Sequence, residues 1–269
     1  MRPDRRFPAG RRTAPGWKAP RQPSVLLYYI TDRSQFAGDE NSRCGRLLAK
    51  IAEAARAGVD YIQLRERDLP ARRLEVLARE AVEAVRTALR PEGGNGQPAS
   101  GSGRRSRLLI NSRTDIALAV GAGGVHLRSA DISASEARAV CRHIREDFLI
   151  AVSCHTPAEV RMAEAQGADF AVFGPVFEKA AAPSRPGSGL AVLRQACTPA
   201  NLAAGGEAAA GAGRLPVLAL GGVTLGNARD CLRAGAAGIA AIRLFQEHDM
   251  AETVRALQAL SSQELGDRS

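Results

Sequence analysis

The sequence predicts an α/β fold, a single (β/α)8 TIM barrel preceded by a disordered basic N-terminal tail, and three observations predict it. Eight short apolar runs recur along the chain, each closed by a cluster of polar residues or glycine. Runs that are apolar on both faces suit parallel strands covered by helices. Several of the stretches between them carry apolar residues at helical spacing. A glycine-led turn carries the chain from helix end to strand four times, as stacked βα units require. With 269 residues the chain has the length of one such barrel, for which about 250 is usual.

The elements follow in order. Residues 25–30 read as the first strand and end in Thr31-Asp-Arg33. Leu47, Leu48, Ile51, Ala54 and Ala55 then form one face of a helix over 46–57, which Gly58 closes by a left-handed turn. Residues 61–64 make the second strand, ending in Arg65-Glu-Arg-Asp68, and Leu74, Leu77, Ala78, Ala81, Val82 and Val85 set the face of a helix over 71–89. The third strand, 108–110, ends in Asn111-Ser-Arg113, with Asp115 as cap of the helix after it. Gly121 leads into the fourth strand, 124–127, closed by Arg128-Ser-Ala-Asp131. Ser133 with Glu136 three residues later is a capping box that opens a helix to 144. The fifth strand, 148–152, ends in Ser153-Cys-His-Thr156. Thr156 is an N-cap before Pro157, and Gly167 stops the helix. The sixth strand, 170–173, meets Gly174-Pro175. The seventh, 217–220, meets Gly221-Gly222, and Gly235 turns into the eighth, 238–242, which ends at Arg243.

Chemistry in such a barrel sits at the C-terminal ends of the strands, so the loops over 31–43 and 178–188 border the expected mouth. Two insertions rich in Gly, Ala, Ser and Pro, 91–107 and 198–214, follow helices and belong on the opposite face. The barrel is expected over 25–262, between a tail over 1–24 and a short C-terminal tail over 263–269.

Composition narrows the class. No apolar stretch approaches the ~18–20 residues of a membrane span. The five cysteines stand singly with no Cys-x-x-Cys pair, which argues against a zinc knuckle or a disulfide framework and for a reducing cytoplasm. The formal net charge of +9 is concentrated at the start, where seven basic residues face only Asp4 within 1–24. A nucleic-acid role would rest on that tail alone, and a solvated extension is the plainer reading. The tail lacks the apolar core of a secretory signal. No membrane or nucleic-acid partner is expected; a homo-oligomer is left open.

The strand-end motifs together resemble the thiamine-phosphate synthase and thiazole tautomerase family. The residues that carry the resemblance are Tyr28-Tyr-Ile-Thr-Asp32, Gln63-Leu-Arg-Glu-Arg67, Ile110-Asn-Ser-Arg-Thr-Asp-Ile-Ala-Leu118 and Gly124-Val-His-Leu127. They continue in Val152-Ser-Cys-His-Thr156, Gly174-Pro-Val-Phe177, Ala219-Leu-Gly-Gly-Val223 and Gly235-Ala-Ala-Gly-Ile-Ala240. The resemblance implies that the substrate is a small phosphorylated thiazole. Backbone N–H groups at Gly221 and Gly222 would hold its phosphate. Arg243, at the end of the eighth strand where the family usually has a small residue, could add a charge-assisted contact. For the two glycines a tight turn alone is the alternative. It further implies substrate contacts from Gln63, Arg65, Glu66, Arg67, Asn111, Ser153, Thr156 and Gly174. For Glu66 the alternative is an ion-pair network in the barrel mouth.

The same resemblance assigns proton transfer on the thiazole ring to His155 in the tautomerases, a task that suits imidazole near neutral pH. A hydrogen-bonded structural histidine is the alternative there. His126 could face either the barrel interior or the helix layer, and His143 and His248 read as surface positions. Cys154 and His155 point to opposite faces, so they do not form a nucleophile pair.

Departures from the synthase pattern are selective. Asp131 matches an acidic residue that holds Mg²⁺ in the synthases, but Ser112 stands where the second metal-site Asp is usual. Arg128 replaces a glycine, and Glu178-Lys179-Ala replaces a Thr-x-Thr-Lys diphosphate cradle, with Lys179, Ser184 and Arg185 as partial substitutes. The residues therefore fit a tautomerase that needs no cofactor better than a full synthase. The alternatives are a Mg²⁺-dependent synthase that couples the thiazole phosphate to an aminopyrimidine diphosphate, and a non-catalytic phosphate-binding barrel.

Overall fold

The computed structural model describes residues 25–90, 106–178, 187–198 and 214–266. Eight strands alternate with helices: β1 (Leu26–Ile30), β2 (Tyr61–Leu64), β3 (Arg107–Asn111), β4 (Gly124–Leu127), β5 (Leu149–Cys154), β6 (Phe170–Phe173), β7 (Val217–Leu220) and β8 (Gly238–Ala241). They are joined in sequence order into a closed barrel, and every pair, including β1 with β8, is parallel. The helices are α1 (Glu40–Ala57), α2 (Ala71–Ala88), α3 (Thr114–Ala119), α4 (Ala134–Cys141), α5 (Pro157–Ala165), α6 (Gly189–Cys197), α7 (Ala228–Arg233), the single turn α8 (Arg243–Gln246) and α9 (Met250–Gly266).

The period-two alternation of each strand divides the apolar residues between two cores. Leu26, Tyr28, Ile30, Tyr61, Leu109, Leu149, Ala151, Phe170, Val172, Leu218 and Ala240 pack inside the barrel. Their sequence neighbours, among them Leu27, Ile62, Ile110, Val125, Ile150, Phe173 and Ile239, meet the helices. Three rings plug the interior: Tyr61 stacks on Phe170 at 4.6 Å, and Tyr28 meets both edge-on at 6.1 and 5.5 Å. Above this plug the inward positions lie at the strand ends.

Local signals act as expected at several ends. Gly58 takes φ 88° after α1, Ser133 and Glu136 form a full capping box on α4, and Thr156 caps α5 ahead of Pro157. Other boundaries differ. Helix α1 begins at Glu40, because Asp39 accepts the Ser42 N–H at 2.8 Å, so the loop after β1 is shorter than 31–43 and contains a 3-10 turn, Arg33–Gln35. Asp115 does not cap α3; Arg113 holds the cap position, and Asp115 pairs with the Arg113 guanidinium. Helix α9 runs to Gly266, into the stretch read as a C-terminal tail. The basic tail over 1–24 and Lys179, Ser184 and Arg185 lie outside the described residues. All five cysteines are free thiols, and no helix among the described residues is long and apolar enough to cross a membrane.

Candidate active site

Above the aromatic plug the inward positions turn polar, because the same alternation that buries Tyr61, Leu109 and Ala151 carries Gln63, Asn111 and Ser153 inward one step later. Gln63 Nε2 donates to Asn111 Oδ1 at 2.9 Å, and Asn111 Nδ2 donates to Ser112 Oγ at 3.1 Å. His126 also faces the interior. Its Nδ1 meets the Tyr28 hydroxyl at 3.0 Å and its Nε2 meets Ser153 Oγ at 2.7 Å. Burial, reinforced by the Arg65 charge, lowers the His126 pKa to about 3, so the ring is neutral at pH 7. Alternation on β1 and β4 carried the signal for Tyr28 and His126, but the sequence reading left His126 undecided.

Beside this layer the mouth is charged. Arg65 is half-buried and its guanidinium donates to no acceptor among the described residues; only its backbone N–H is bound, by Thr31 Oγ1 at 3.0 Å. Burial lowers the Arg65 pKa, and the like charges of exposed Arg67 and of Arg128 lower it further. The charges of Asp32 and Glu66 act on Arg65 in the opposite sense.

Glu66 sits in an ion-pair network. Its Oε1 accepts the Thr31 hydroxyl at 2.6 Å, and its Oε2 accepts the Arg33 N–H and guanidinium, each at 3.1 Å. Arg33 also binds both Asp68 oxygens at 2.7 and 2.8 Å and Glu40 at 2.8 Å. With both carboxylate oxygens held by protein, Glu66 ties the β1 and β2 loops together. Sequence reasoning missed Arg33, Asp68 and Glu40, whose spacing of 33, 40, 66 and 68 has no period and becomes contiguous only when β1 and β2 pair.

Asp131 is also engaged. Its Oδ2 accepts the Arg128 N–H at 2.8 Å, and its Oδ1 accepts Arg128 Nη2 at 2.9 Å. Burial raises the Asp131 carboxyl, but hydrogen bonds from Arg128 and Ser112 outweigh it, and the net pKa is lowered. Ser112 holds φ 61°, the one positive φ outside glycine among the described residues. These donors do not fit Mg²⁺. The ion wants several hard oxygens in near-octahedral order. This corner offers one carboxylate, a neutral hydroxyl and a guanidinium that would repel it. Among the described residues no three metal-ligating side chains converge.

Across the mouth, His155 is exposed, and its Nδ1 lies 2.5 Å from the Gly174 carbonyl oxygen. Thr156 spends its hydroxyl on the α5 cap. Gly174 is buried with its Cα against the Leu220 backbone, where no side chain fits. Gly221 and Gly222 have φ of 94° and 65°, and a Cβ on either would press within 2.6–2.7 Å of Pro175 or Phe177. Their conformation satisfies the tight-turn requirement. Among the described residues the N–H groups of Gly221, Gly222 and Val223 donate to no protein acceptor, which leaves them available to an anion. Arg243 opens α8 and is exposed beside them.

Residues 27–245 match a family model described as thiamine monophosphate synthase. A Geobacter sulfurreducens protein named "Putative thiamine-phosphate synthase" is 40% identical over 237 residues, which cover 87% of this chain and 93% of that one. A Methanoculleus marisnigri protein named thiamine-phosphate synthase is 32% identical over 234 residues, 86% of this chain and 93% of its own. Among solved structures, a thiamine phosphate pyrophosphorylase from Pyrococcus furiosus superposes with a TM-score of 0.64 at 24% identity, over 89% of this chain and 96% of that chain, a likeness of fold.

Proposed function

The chain belongs to the thiamine monophosphate synthase family, and from that premise we propose that it couples a phosphorylated hydroxyethylthiazole to an aminopyrimidine diphosphate, releasing diphosphate. The observation that carries this reading is Arg65, half-buried at the mouth with no acceptor for its guanidinium among the described residues and with the charges of Arg67 and Arg128 acting on it. A proton shuttle on a monophosphate needs one anion site, and the free N–H groups at Gly221–Val223 suffice for it. A departing diphosphate needs concentrated positive charge where its own charge develops. Arg65 and Arg67 repel each other and offer that charge, and their repulsion is relieved when a polyanion binds, while Arg128 adds the N–H donors that its pair with Asp131 leaves over. The names borne by the relatives support the same reading over the tautomerase expectation.

In this assignment the Gly221–Val223 turn and Arg243 hold the thiazole phosphate. Gln63, Asn111 and Ser153 line the polar floor of the site. Arg65, Arg67 and Arg128 receive the diphosphate. Glu66 acts through Arg33 to hold the β2 loop that carries Arg65 and Arg67.

A second reading, thiazole tautomerase, is favoured by one observation, the absence of a fitting Mg²⁺ donor set beside an exposed His155. Purified protein given both substrates, and separately the thiazole carboxylate phosphate tautomer, distinguishes the two. Thiamine phosphate formation that persists in His155→Ala supports coupling. Isomerisation without coupling, lost in that variant, overturns it in favour of the tautomerase. Binding without turnover overturns both and leaves the phosphate-binding barrel.

A further inference from the structure

We propose that Arg128 stands in for the divalent cation, so that this mouth binds diphosphate without any metal. The argument begins with the ion pair. The Asp131 side chain is 11% exposed and that of Arg128 is 52% exposed, so the carboxylate is the anchored partner and the guanidinium reaches outward. Three N–H contacts tie them: the Arg128 backbone N–H at 2.8 Å, Nη2 at 2.9 Å and Nε at 3.4 Å. A guanidinium has five N–H donors, and Asp131 takes two of them. The remaining donors face solvent in a planar fork, the geometry that suits phosphoryl oxygens.

Charge balance agrees. A site with two carboxylates needs two positive charges to be neutral, whereas Asp131 beside the neutral Ser112 needs one, and Arg128 carries it. The corner is thus electrically complete without an ion. Arg65 lies near enough that the Arg128 charge acts on it, so both guanidinium groups serve the same side of the mouth.

The inference deepens the coupling reading and, for its chemical step, rests on it. In that step the bond from the pyrimidine methylene carbon to the diphosphate oxygen breaks, and diphosphate leaves with the electron pair. The thiazole nitrogen forms the new carbon–nitrogen bond. No proton or electron is exchanged, and Arg128 stabilises the charge that gathers on the leaving oxygen.

Calorimetry with inorganic diphosphate tests the idea on the full chain, in EDTA and in Mg²⁺, with Mn²⁺ paramagnetic resonance as a direct metal readout. Wild type is expected to bind diphosphate equally in both and to show no bound Mn²⁺. Arg128→Gln should weaken diphosphate binding about 10- to 100-fold, the loss expected for a charge-assisted contact, with the unfolding transition unchanged. The double variant Ser112→Asp with Arg128→Gly should acquire bound Mn²⁺ and Mg²⁺-dependent diphosphate affinity. Ser112 already holds a left-handed backbone that Asp tolerates. Diphosphate binding that requires Mg²⁺ in wild type, Mn²⁺ held by wild type, or full affinity in Arg128→Gln would each overturn the proposal. Failure of the coupling reading is separately visible: metal-free diphosphate binding without thiamine phosphate formation sinks that reading alone, and Mg²⁺-dependent coupling sinks this one alone.

Discussion

Lowering the pH from 7 to 5 should cost the folded protein about 2 kcal/mol through His126 alone. The imidazole is 2% exposed, and its ring nitrogens are engaged by Tyr28 and Ser153. Burial moves its pKa from 6.5 down to about 3. A histidine depressed in the folded state stays neutral there while the unfolded chain takes up the proton, so stability is full above pH 6.5 and falls as pH drops toward 3. Each unit in that window costs about 1.4 kcal/mol, and pH 5 lies about 1.5 units below the unfolded value. Carboxylates held low by hydrogen bonds, such as Asp68 and Asp131, stay charged in both states at pH 5 and add little. Urea unfolding of wild type and His126→Asn at both pH values isolates the effect. Asparagine offers polar atoms to Tyr28 and Ser153 but does not titrate. A variant that loses as much stability as wild type between pH 7 and 5 would refute the assignment.

Glu66→Gln removes the charge from a pair whose side chains are 6% and 2% exposed, and should lower stability by about 2–4 kcal/mol, since Asp68 and Glu40 still balance part of Arg33. Diphosphate affinity, measured by calorimetry, should stay within about threefold, whereas a direct substrate contact would cost tenfold or more. Gly222→Ala places a methyl 2.7 Å from Phe177 Cβ at φ 65°. It should cost about 1–3 kcal/mol in thermal unfolding and weaken binding of the thiazole phosphate, read by calorimetry. Ser133→Ala removes the capping box of α4, and about 1 kcal/mol should be lost in urea unfolding.

Much of the architecture was legible because it is written in local terms. The strand runs needed only apolar stretches with polar ends, and Ser133, Thr156 and Gly58 act through groups within four residues of themselves. The start of α1 was missed because its apolar face begins at Leu47, while the polar first turn is held by Asp39. Within the site, Gln63, Asn111 and Ser153 were legible as strand-end polar groups. Glu66 was legible as a charge, but its role was not, since Thr31 and Arg33 reach it only across the β1–β2 pairing.

The sequence by itself determined the barrel and its mouth, because alternation, helical period and residue type are properties of neighbours along the chain. Only the tertiary structure decided what the residues there do. It turned His126 inward to a neutral, buried life between Tyr28 and Ser153, saturated Glu66 with Arg33, and set Arg128 on Asp131 beside Arg65. Charge and hydrogen bonding act through distances in space, and ring closure brings together groups that no spacing in the chain announces.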